Sequence, residues 1–312
     1  MTDASGTNQH IADAPVQNWV ERLCPASVLP YAQLMRLDRP IGWWLLLLPC
    51  WWSLVLAQLS IGGGMPNPWY AFLFLIGAIV MRGAGCTLND IADAKFDGQV
   101  ERTRQRPIPS GRVSKTQAFT FLVAQLLVGL IILLQLNWFT DELAAASLLI
   151  VAIYPFMKRF TYWPQFVLGL AFNWGALVGW SAVTGGLSLA PVLLYAAGIF
   201  WTLAYDTIYA HQDKDDDILI GVKSTALLFG ANTMPWLGGF FAAALALMTG
   251  AIAAAGGHLL AYMGVACAAM HAAWQLARFD HNNSSLCLKL FKSNRTFGLI
   301  ILFWLILDSI LT

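Results

Sequence analysis

Apolar runs of about 20 residues constrain this chain more than any other feature of its sequence. A helix of that length crosses the hydrocarbon core of a bilayer, where helices and closed barrels are the structures that satisfy every backbone polar group. The composition agrees, because 58% of the residues are hydrophobic and only 11% are charged. The runs predict an all-α polytopic membrane protein with nine transmembrane helices, at about 41–61, 69–88, 116–136, 142–157, 164–184, 190–210, 234–255, 259–277 and 297–311.

The basic residues fall on one side of these predicted helices. If the N-terminus is inside, the inner loops are 89–115, 158–163, 211–233 and 278–296. All 18 Lys and Arg residues then lie in these loops, in the N-terminal tail or, for Arg82, near the inner end of the second helix. Basic residues favour the cytoplasmic side, so we predict a cytoplasmic N-terminus.

The N-terminal segment indicates how the chain is divided into domains, and the composition limits the classes of partner. Residues 1–35 lack the basic start and apolar core of a signal peptide, so the first span is expected to act as an uncleaved insertion signal. We expect residues 1–30 to form a flexible polar tail and residues 31–312 a single membrane domain. A net charge of +1 gives no indication of a nucleic-acid partner, and the apolar runs predict contact with membrane lipid.

A polar edge follows the second apolar run. Asn89, Asp93 and Asp97 recur at i, i+4 and i+8, which places them within about 80° of one another on a helix. A loop rich in arginine comes next, at 95–115. One acidic run at a helix end is usually a solvated face, so this edge alone does not indicate a binding site.

A second acidic group follows the sixth run. Asp206, Asp213 and Asp217 lie within about 40° of one another if the helix continues through them. The predicted topology places both groups on the cytoplasmic side. If the groups face each other, six carboxylates share one pocket, and each pair about 4 Å apart repels by about 4 kcal/mol at an effective dielectric of 20. Such an arrangement needs cations or shifted pKa values. The six are Asp90, Asp93, Asp97, Asp206, Asp213 and Asp217.

Oxygen ligands of this kind favour a hard cation, and Mg²⁺ is typically held by one or two carboxylates together with substrate phosphates. The sequence therefore predicts a magnesium site for a diphosphate. Basic residues near the inner side are candidates to bind the diphosphate, namely Arg36, Arg39, Arg82, Lys158 and Arg159. For four of them the topology signal or anionic lipid is an equal explanation, whereas Arg82 lies within a span and indicates function or pairing with an acid.

Several motifs resemble the membrane aromatic prenyltransferases of the UbiA type over roughly residues 31–312. They are Met35-Arg36-Leu37-Asp38-Arg39-Pro40-Ile41-Gly42, the Asn-Asp-x-x-Asp-x-x-x-Asp segment at 89–97, Arg106-Pro107-Ile108-Pro109-Ser110-Gly111, Tyr154-Pro155-Phe156-Met157-Lys158-Arg159, Tyr205-Asp206-Thr207 running to Asp217, and Lys223-Ser224-Thr225-Ala226. Together these motifs are specific, although each alone would be weak. The resemblance implies a nine-helix fold with its active site at the cytoplasmic side.

The resemblance also implies an activity. The expected enzyme transfers a polyprenyl group from polyprenyl diphosphate to 4-hydroxybenzoate, ortho to its hydroxyl, in ubiquinone biosynthesis. It implies metal ligation by Asn89, Asp93 and Asp97 and by Asp213 and Asp217, with Asp206 close by as a further ligand. The expected catalytic residues are Asp93, Asp97, Asp213, Asp217 and Arg159, and Arg159, Tyr205 and Asp206 are expected to contact substrate. The expected location is a bacterial inner membrane, or a mitochondrial inner membrane in a eukaryote.

Other readings of the acidic groups are a divalent-cation transporter and a family member with another acceptor, such as naphthoate, homogentisate, haem or a chlorophyll precursor. A transporter would need a polar path to the outer side, which the spans do not show. The Asp-Gly-x-x-Ala-Arg signature of CDP-alcohol phosphotransferases is missing from both acidic stretches. For His211 a structural role at a helix end is favoured over catalysis, and for Asn173 an interhelical hydrogen bond is favoured over catalysis.

Overall fold

The computed structural model describes residues 18–98, 103–212, 214, 218 and 221–312. Within those ranges every regular element is a helix, which confirms the all-α prediction. The predicted tail at 1–30 falls largely outside them. The helices are α1 (Trp19–Leu23), α2 (Leu29–Leu34), α3 (Ile41–Ser60), α4 (Pro68–Asp97), α5 (Lys115–Leu133), α6 (Trp138–Phe160), α7 (Pro164–Asn173), α8 (Gly175–Thr184), α9 (Leu189–Ala210), α10 (Thr225–Phe229), α11 (Thr233–Ala254), α12 (Leu259–Arg278) and α13 (Ser284–Leu311).

Nine helical segments in the described ranges are long and apolar enough to cross a membrane, which confirms the predicted number and indicates an integral membrane protein. Two of these segments are interrupted. The fifth consists of α7 and α8, joined at Trp174, where the N–H of Leu177 donates to the Trp174 carbonyl in a tight i to i+3 bond. The seventh consists of α10, a 3₁₀ turn at Gly230–Asn232 and α11.

Side-chain caps set two helix starts earlier than the apolar pattern predicts. The Asn137 side chain accepts the N–H of Thr140, so α6 begins at Trp138 and includes Asp141 in its first turn. The Asn283 side chain accepts the N–H of Leu286, so the last helix begins at Ser284 rather than near 297. Hydropathy alone misses such starts, because polar residues soon after each start interrupt the apolar pattern, at Thr140-Asp141-Glu142 in α6 and at Lys289, Lys292 and Arg295 in the last helix.

The chain divides into two compact units. The first contains the described residues up to Trp43 together with Ile76–Ile132. Four buried residues form a core cluster in this unit, and they come from α2, from α5 and from the loop that follows α4. Two side chains of α4 pack against this cluster. The buried four are Leu34, Ile108, Val113 and Ala118, and the α4 side chains are Ile91 and Ala94. This packing places the arginine-rich loop beside the acidic end of α4.

The second unit contains Trp44–Leu75 and Leu133–Thr312. Helix α9 is its central element and contacts α7, α8, α10, α11 and α13. Buried Trp201 stacks on Phe297 at 5.6 Å and donates its indole N–H to Asn294 Oδ1 at 2.9 Å. Asn173 donates to Thr202 Oγ1 at 2.8 Å, which confirms that it forms an interhelical hydrogen bond. Polar side chains buried in this core are therefore bonded to one another across helices.

Candidate functional site

The first acidic motif lies on an unbroken helix. Helix α4 continues through Asp97, so the predicted helical phase of Asn89, Asp93 and Asp97 is confirmed. Asn89 is half-buried, while Asp93 and Asp97 are buried. The Thr103 hydroxyl donates to the Asp97 carbonyl at 2.9 Å and satisfies one of the last backbone acceptors of the helix. The helix end thus presents oxygen ligands from a fixed backbone.

Asp90 is the most deeply buried acid of this motif, and arginine compensates its charge. It is 0% exposed, and its Oδ1 atom accepts Arg36 Nη2 at 2.7 Å. Arg106 Nη1 lies 3.5 Å from the same oxygen and 2.9 Å from Asp97 Oδ2. Two guanidinium groups therefore supply the positive charge at Asp90. The shared pocket of the six acids stays a prediction.

Arg36 holds a backbone conformation that is rare for a side-chain-bearing residue. Its φ is 57°, the one positive value among the described non-glycine residues. Its second terminal nitrogen donates to the Gln33 carbonyl at 2.8 Å. The Gln33 side chain in turn accepts Arg112 Nη1 at 2.7 Å. Arg36 is thus fixed from two sides in a left-handed turn between α2 and α3.

Burial sets the titration behaviour of the groups at this helix end. Desolvation raises the pKa of Asp97; the positive charge of Arg106 opposes the rise, and the negative charges of Asp90 and Asp93 add to it. Burial also lowers the pKa of Arg112. A buried carboxylate with a raised pKa is stabilised in its charged form by a cation.

The remaining basic candidates of the first unit have identifiable neighbours. Arg39 Nε lies 3.2 Å from Asp38 Oδ2. Arg82 lies two turns before Asn89, where it donates to the Cys86 sulfur and packs on Gly42. A Cβ atom at Gly42 would come within 2.5 Å of Arg82 Nε, so the position of this guanidinium depends on a glycine.

The second acidic group begins on α9. This helix ends at Ala210, and His211 and Gln212 form a turn, so the expected continuation of the helix is wrong at this point. The common face of Asp206, Asp213 and Asp217 stays a prediction. Asp206 is half-buried near the end of α9. Asp213 and Asp217 lie outside the described residues.

Three contacts anchor the segment around these acids within the second unit. His211 Nε2 lies 3.0 Å from the Thr233 hydroxyl, and Lys214 Nζ donates to the His281 carbonyl at 3.0 Å. Thr207 and Thr225 share a hydrogen bond of 2.7 Å between their hydroxyls. The motif that begins at Lys223 therefore fastens the chain back onto α9.

His211 is neutral at physiological pH. Burial lowers its pKa to about 4, and the positive charge of Lys214 and the neighbouring His281 contribute. Because the Thr233 hydroxyl donates to the Gly230 carbonyl, it accepts the Nε2 proton of His211. These bonds agree with the expectation of a structural histidine at a helix end.

The other predicted substrate residues of this unit occupy two environments. Lys158 and Arg159 lie in the last turn of α6, where the Arg159 guanidinium sits 5.7 Å from the Phe156 ring and the Lys158 carbonyl accepts the N–H of Lys223. Tyr205 is 1% exposed, and its hydroxyl accepts the Thr202 hydroxyl at 3.0 Å in the core. The tyrosine ring is therefore part of the packing of α9.

The ligand chemistry of α4 fits magnesium that arrives with a phosphorylated substrate. In the ranges that the structure describes, no three His, Cys, Asp or Glu side chains form a preformed metal cluster. Mg²⁺ needs no such protein cage, since it retains water and takes phosphate oxygens alongside one or two carboxylates. Asn89, Asp93 and Asp97 supply oxygen atoms of this kind from one helical face.

Sequence reasoning did not identify Arg106 or Gln33 as parts of this site. Arg36 and Asp90 are 54 residues apart, and Arg112 and Gln33 are 79 apart, so no local pattern reveals these pairs. The many arginines in the loop after α4 could have indicated partners for the acids. The preference of basic residues for the cytoplasmic side already explained them.

Comparison with known proteins supports the motif resemblance. The chain is 50% identical over 308 residues to the mitochondrial 4-hydroxybenzoate polyprenyltransferase of Rattus norvegicus, covering 98% of this chain and 82% of that protein. It is 49% identical to the protein of the same name from Arabidopsis thaliana, covering 91% and 70%.

Solved structures share the fold. The apo structure of a UbiA homolog from Aeropyrum pernix K1 has a TM-score of 0.70 at 27% identity, covering 84% of this chain and 97% of that one. A UbiA homolog from Archaeoglobus fulgidus bound to GPP and Mg²⁺ has a TM-score of 0.68 at 18% identity, covering 91% and 100%. The model of the UbiA prenyltransferase family matches residues 46–306. The chain belongs to the UbiA prenyltransferase family.

Proposed function

We propose that this chain transfers a polyprenyl group from polyprenyl diphosphate to the carbon of 4-hydroxybenzoate ortho to its hydroxyl, and releases diphosphate, in ubiquinone biosynthesis. The observation that carries the proposal is an identity of about 50% over nearly the whole chain to proteins that bear this activity in their name. The acidic helix end with its arginines, which is suited to a charged leaving group, supports it independently.

Two sets of oxygen ligands are proposed to hold magnesium. Asn89, Asp93 and Asp97 form one set on α4, and Asp206, Asp213 and Asp217 form the other. When bound, Mg²⁺ acts as a Lewis acid that stabilises the charge developing on the diphosphate. The placement of three oxygen donors on one face of α4 supports the assignment of the first set.

The residues of the chain supply binding and orientation around the reacting bond. The bond between the allylic carbon and the diphosphate oxygen breaks, and its electron pair leaves with the diphosphate. The ring carbon ortho to the hydroxyl forms the new carbon–carbon bond, and its proton is then lost, which restores aromaticity. The basic residues proposed to contact the two anionic substrates are Arg36, Arg39, Arg82, Lys158 and Arg159. The Tyr205 hydroxyl accepts a hydrogen bond from Thr202 in the core, which argues against a substrate contact by this hydroxyl.

One of the basic residues pairs with the carboxylate of 4-hydroxybenzoate. Arg36, Arg39 and Arg82 are the candidates, and Arg36 is already committed to Asp90 and the Gln33 carbonyl. Arg82 lies within a membrane-spanning helix, where a guanidinium is costly unless it serves a buried anion. This placement favours Arg82 for the acceptor.

The proposed location is a bacterial inner membrane, or a mitochondrial inner membrane in a eukaryote, with the N-terminus and the site on the cytoplasmic or matrix side. Nine apolar helical segments among the described residues support membrane insertion. The one-sided distribution of Lys and Arg supports the orientation. Relatives named as mitochondrial support the second of the two membranes.

The test is an assay of membranes that contain the chain, supplied with labelled 4-hydroxybenzoate and a polyprenyl diphosphate. We expect a prenylated product that disappears with EDTA and returns when excess Mg²⁺ is added, because the diphosphate binds together with the metal. Dihydroxynaphthoate and homogentisate are offered in parallel as competing acceptors. Product formation in EDTA would contradict the magnesium assignment, and preference for another acceptor would contradict the substrate.

A further inference from the structure

Asp90 is a buried carboxylate with one hydrogen-bonded oxygen and one oxygen that lacks a hydrogen bond among the described residues. Its Oδ1 atom accepts Arg36 Nη2 at 2.7 Å, while its Oδ2 atom has no hydrogen-bond partner within the described ranges. The side chain is 0% exposed, so water does not readily compensate for the missing bond. An unsatisfied charged oxygen in such a place is costly, and it calls for an explanation in the working cycle of the protein.

Arg106 lies between this carboxylate and a second one. Its Nη1 atom is 2.9 Å from Asp97 Oδ2 and 3.5 Å from Asp90 Oδ1. Asp97 is also a proposed magnesium ligand, so a metal ion and Arg106 compete for the same carboxylate. A guanidinium released from Asp97 has only a short distance to move to reach Asp90.

We infer that Asp90 is a positioning residue that takes over Arg106 when Asp97 binds the metal. The inference rests on the proposed function. In the metal-free state Arg106 neutralises Asp97. In the metal-bound state Arg106 pairs with Asp90 Oδ2, while Asp90 Oδ1 still accepts the hydrogen bond from Arg36. Asp90 therefore favours metal binding by stabilising the displaced guanidinium, without itself touching the ion.

If the charge of Asp90 is removed, Arg106 can no longer move from Asp97 to Asp90. Arg106 then stays on Asp97 and competes with the metal ion there. The probe is Mn²⁺ alone, which replaces Mg²⁺ and is followed by the loss of its free-ion electron paramagnetic resonance signal on the purified full chain. We expect Asp90→Asn to weaken Mn²⁺ binding about tenfold, a coupling of ordinary size for linked sites.

A second substitution separates positioning from a general loss of structure. If Arg106 is the competitor, Asp90→Asn combined with Arg106→Gln should recover most of the Mn²⁺ affinity, to within about threefold of the native chain. The matched control is Arg112→Gln in the same background. Arg112 lies on the same loop but bonds the neutral oxygens of Gln33, Gln105 and Ser110, so no recovery is expected.

Unchanged Mn²⁺ affinity in Asp90→Asn would overturn the inference, as would a loss that Arg106→Gln fails to reverse or that Arg112→Gln reverses equally. If Asp90→Asn does not fold, Arg106→Gln alone decides, because it must tighten Mn²⁺ binding relative to the native chain. Failure of the proposed function has a different signature, since Asp93→Asn would then bind Mn²⁺ as tightly as the native chain.

Discussion

At the scale of single residues, Arg36 shows how a functional charge is fixed in space. A left-handed backbone costs a non-glycine residue of order 1–2 kcal/mol. Arg36 adopts it with φ 57° and is held there by charge-assisted bonds to Asp90 and to the Gln33 carbonyl. Such bonds contribute roughly 1.5–3 kcal/mol each, enough to offset the strain. The conformation is therefore supported by the same carboxylate that contacts Arg106.

The contact between Gly42 and Arg82 gives a residue-scale prediction. A methyl group at residue 42 would approach Arg82 Nε to 2.5 Å and force the guanidinium to move. We expect Gly42→Ala to raise the KM for 4-hydroxybenzoate about tenfold, because a one-ångström displacement of a positioning group costs that much or more. Steady-state assays in membranes, with each substrate varied in turn, measure the effect.

Gly77→Ala is the matched control for this prediction. It places the same methyl group on α4, where the nearest atom, Ile132 Cδ1, lies at an ordinary 3.9 Å. The control should retain the native KM for both substrates. Equal KM values for 4-hydroxybenzoate in Gly42→Ala and Gly77→Ala would count against Arg82 as the residue that binds the acceptor.

At the scale of elements, the two acidic motifs show where sequence reasoning succeeds and where it stops. The phase of Asn89, Asp93 and Asp97 was predictable because α4 is one continuous helix with a fixed period. The period of α9 cannot be extended beyond Asp206 in the same way, because α9 ends at Ala210. The residues that directly follow Ala210 are polar and include no glycine or proline, which would signal a helix end in the sequence. Tertiary contacts of this segment, such as that of His211 with Thr233, are not visible in the sequence.

The hydroxyl pair Thr207 and Thr225 is the element-scale contact that fastens α10 to α9. Both side chains are fully buried. Replacing either threonine with valine leaves the other hydroxyl unsatisfied, which should cost about 1–3 kcal/mol. The double variant removes both polar groups and should be more stable than the sum of the single effects predicts.

Thermal unfolding of the purified variants in detergent measures this coupling, and Thr249→Val serves as the control. Thr249 is exposed and, among the described residues, its hydroxyl bonds within its own helix, to the Leu245 carbonyl. Strictly additive effects of Thr207→Val and Thr225→Val would show that the two hydroxyls do not form a coupled pair.

At the scale of the whole molecule, the nine spans found among the described residues were predictable from the apolar runs alone, since length and hydropathy define a membrane helix. The helix starts set by Asn137 and Asn283 were not, because a cap is a local hydrogen bond rather than a hydropathy signal. The ion pairs around Asp90 were also hidden, because they join residues from three separate stretches of the chain. Their identification required the packing of the arginine-rich loop against α4.

The central claim is that the acidic motifs bind the magnesium diphosphate of the substrate, and the most direct test is the rate of prenylated product formation by Asp93→Asn and Asp213→Asn over a range of Mg²⁺ concentrations. Glu142→Gln, which removes an exposed acid from the first turns of α6, is the control and should retain the native rate. We predict that both aspartate variants insert and fold but lose at least about a hundredfold in rate, even at saturating Mg²⁺, as removal of a group that stabilises transition-state charge does. Near-native rates in both variants at saturating Mg²⁺ would contradict the account.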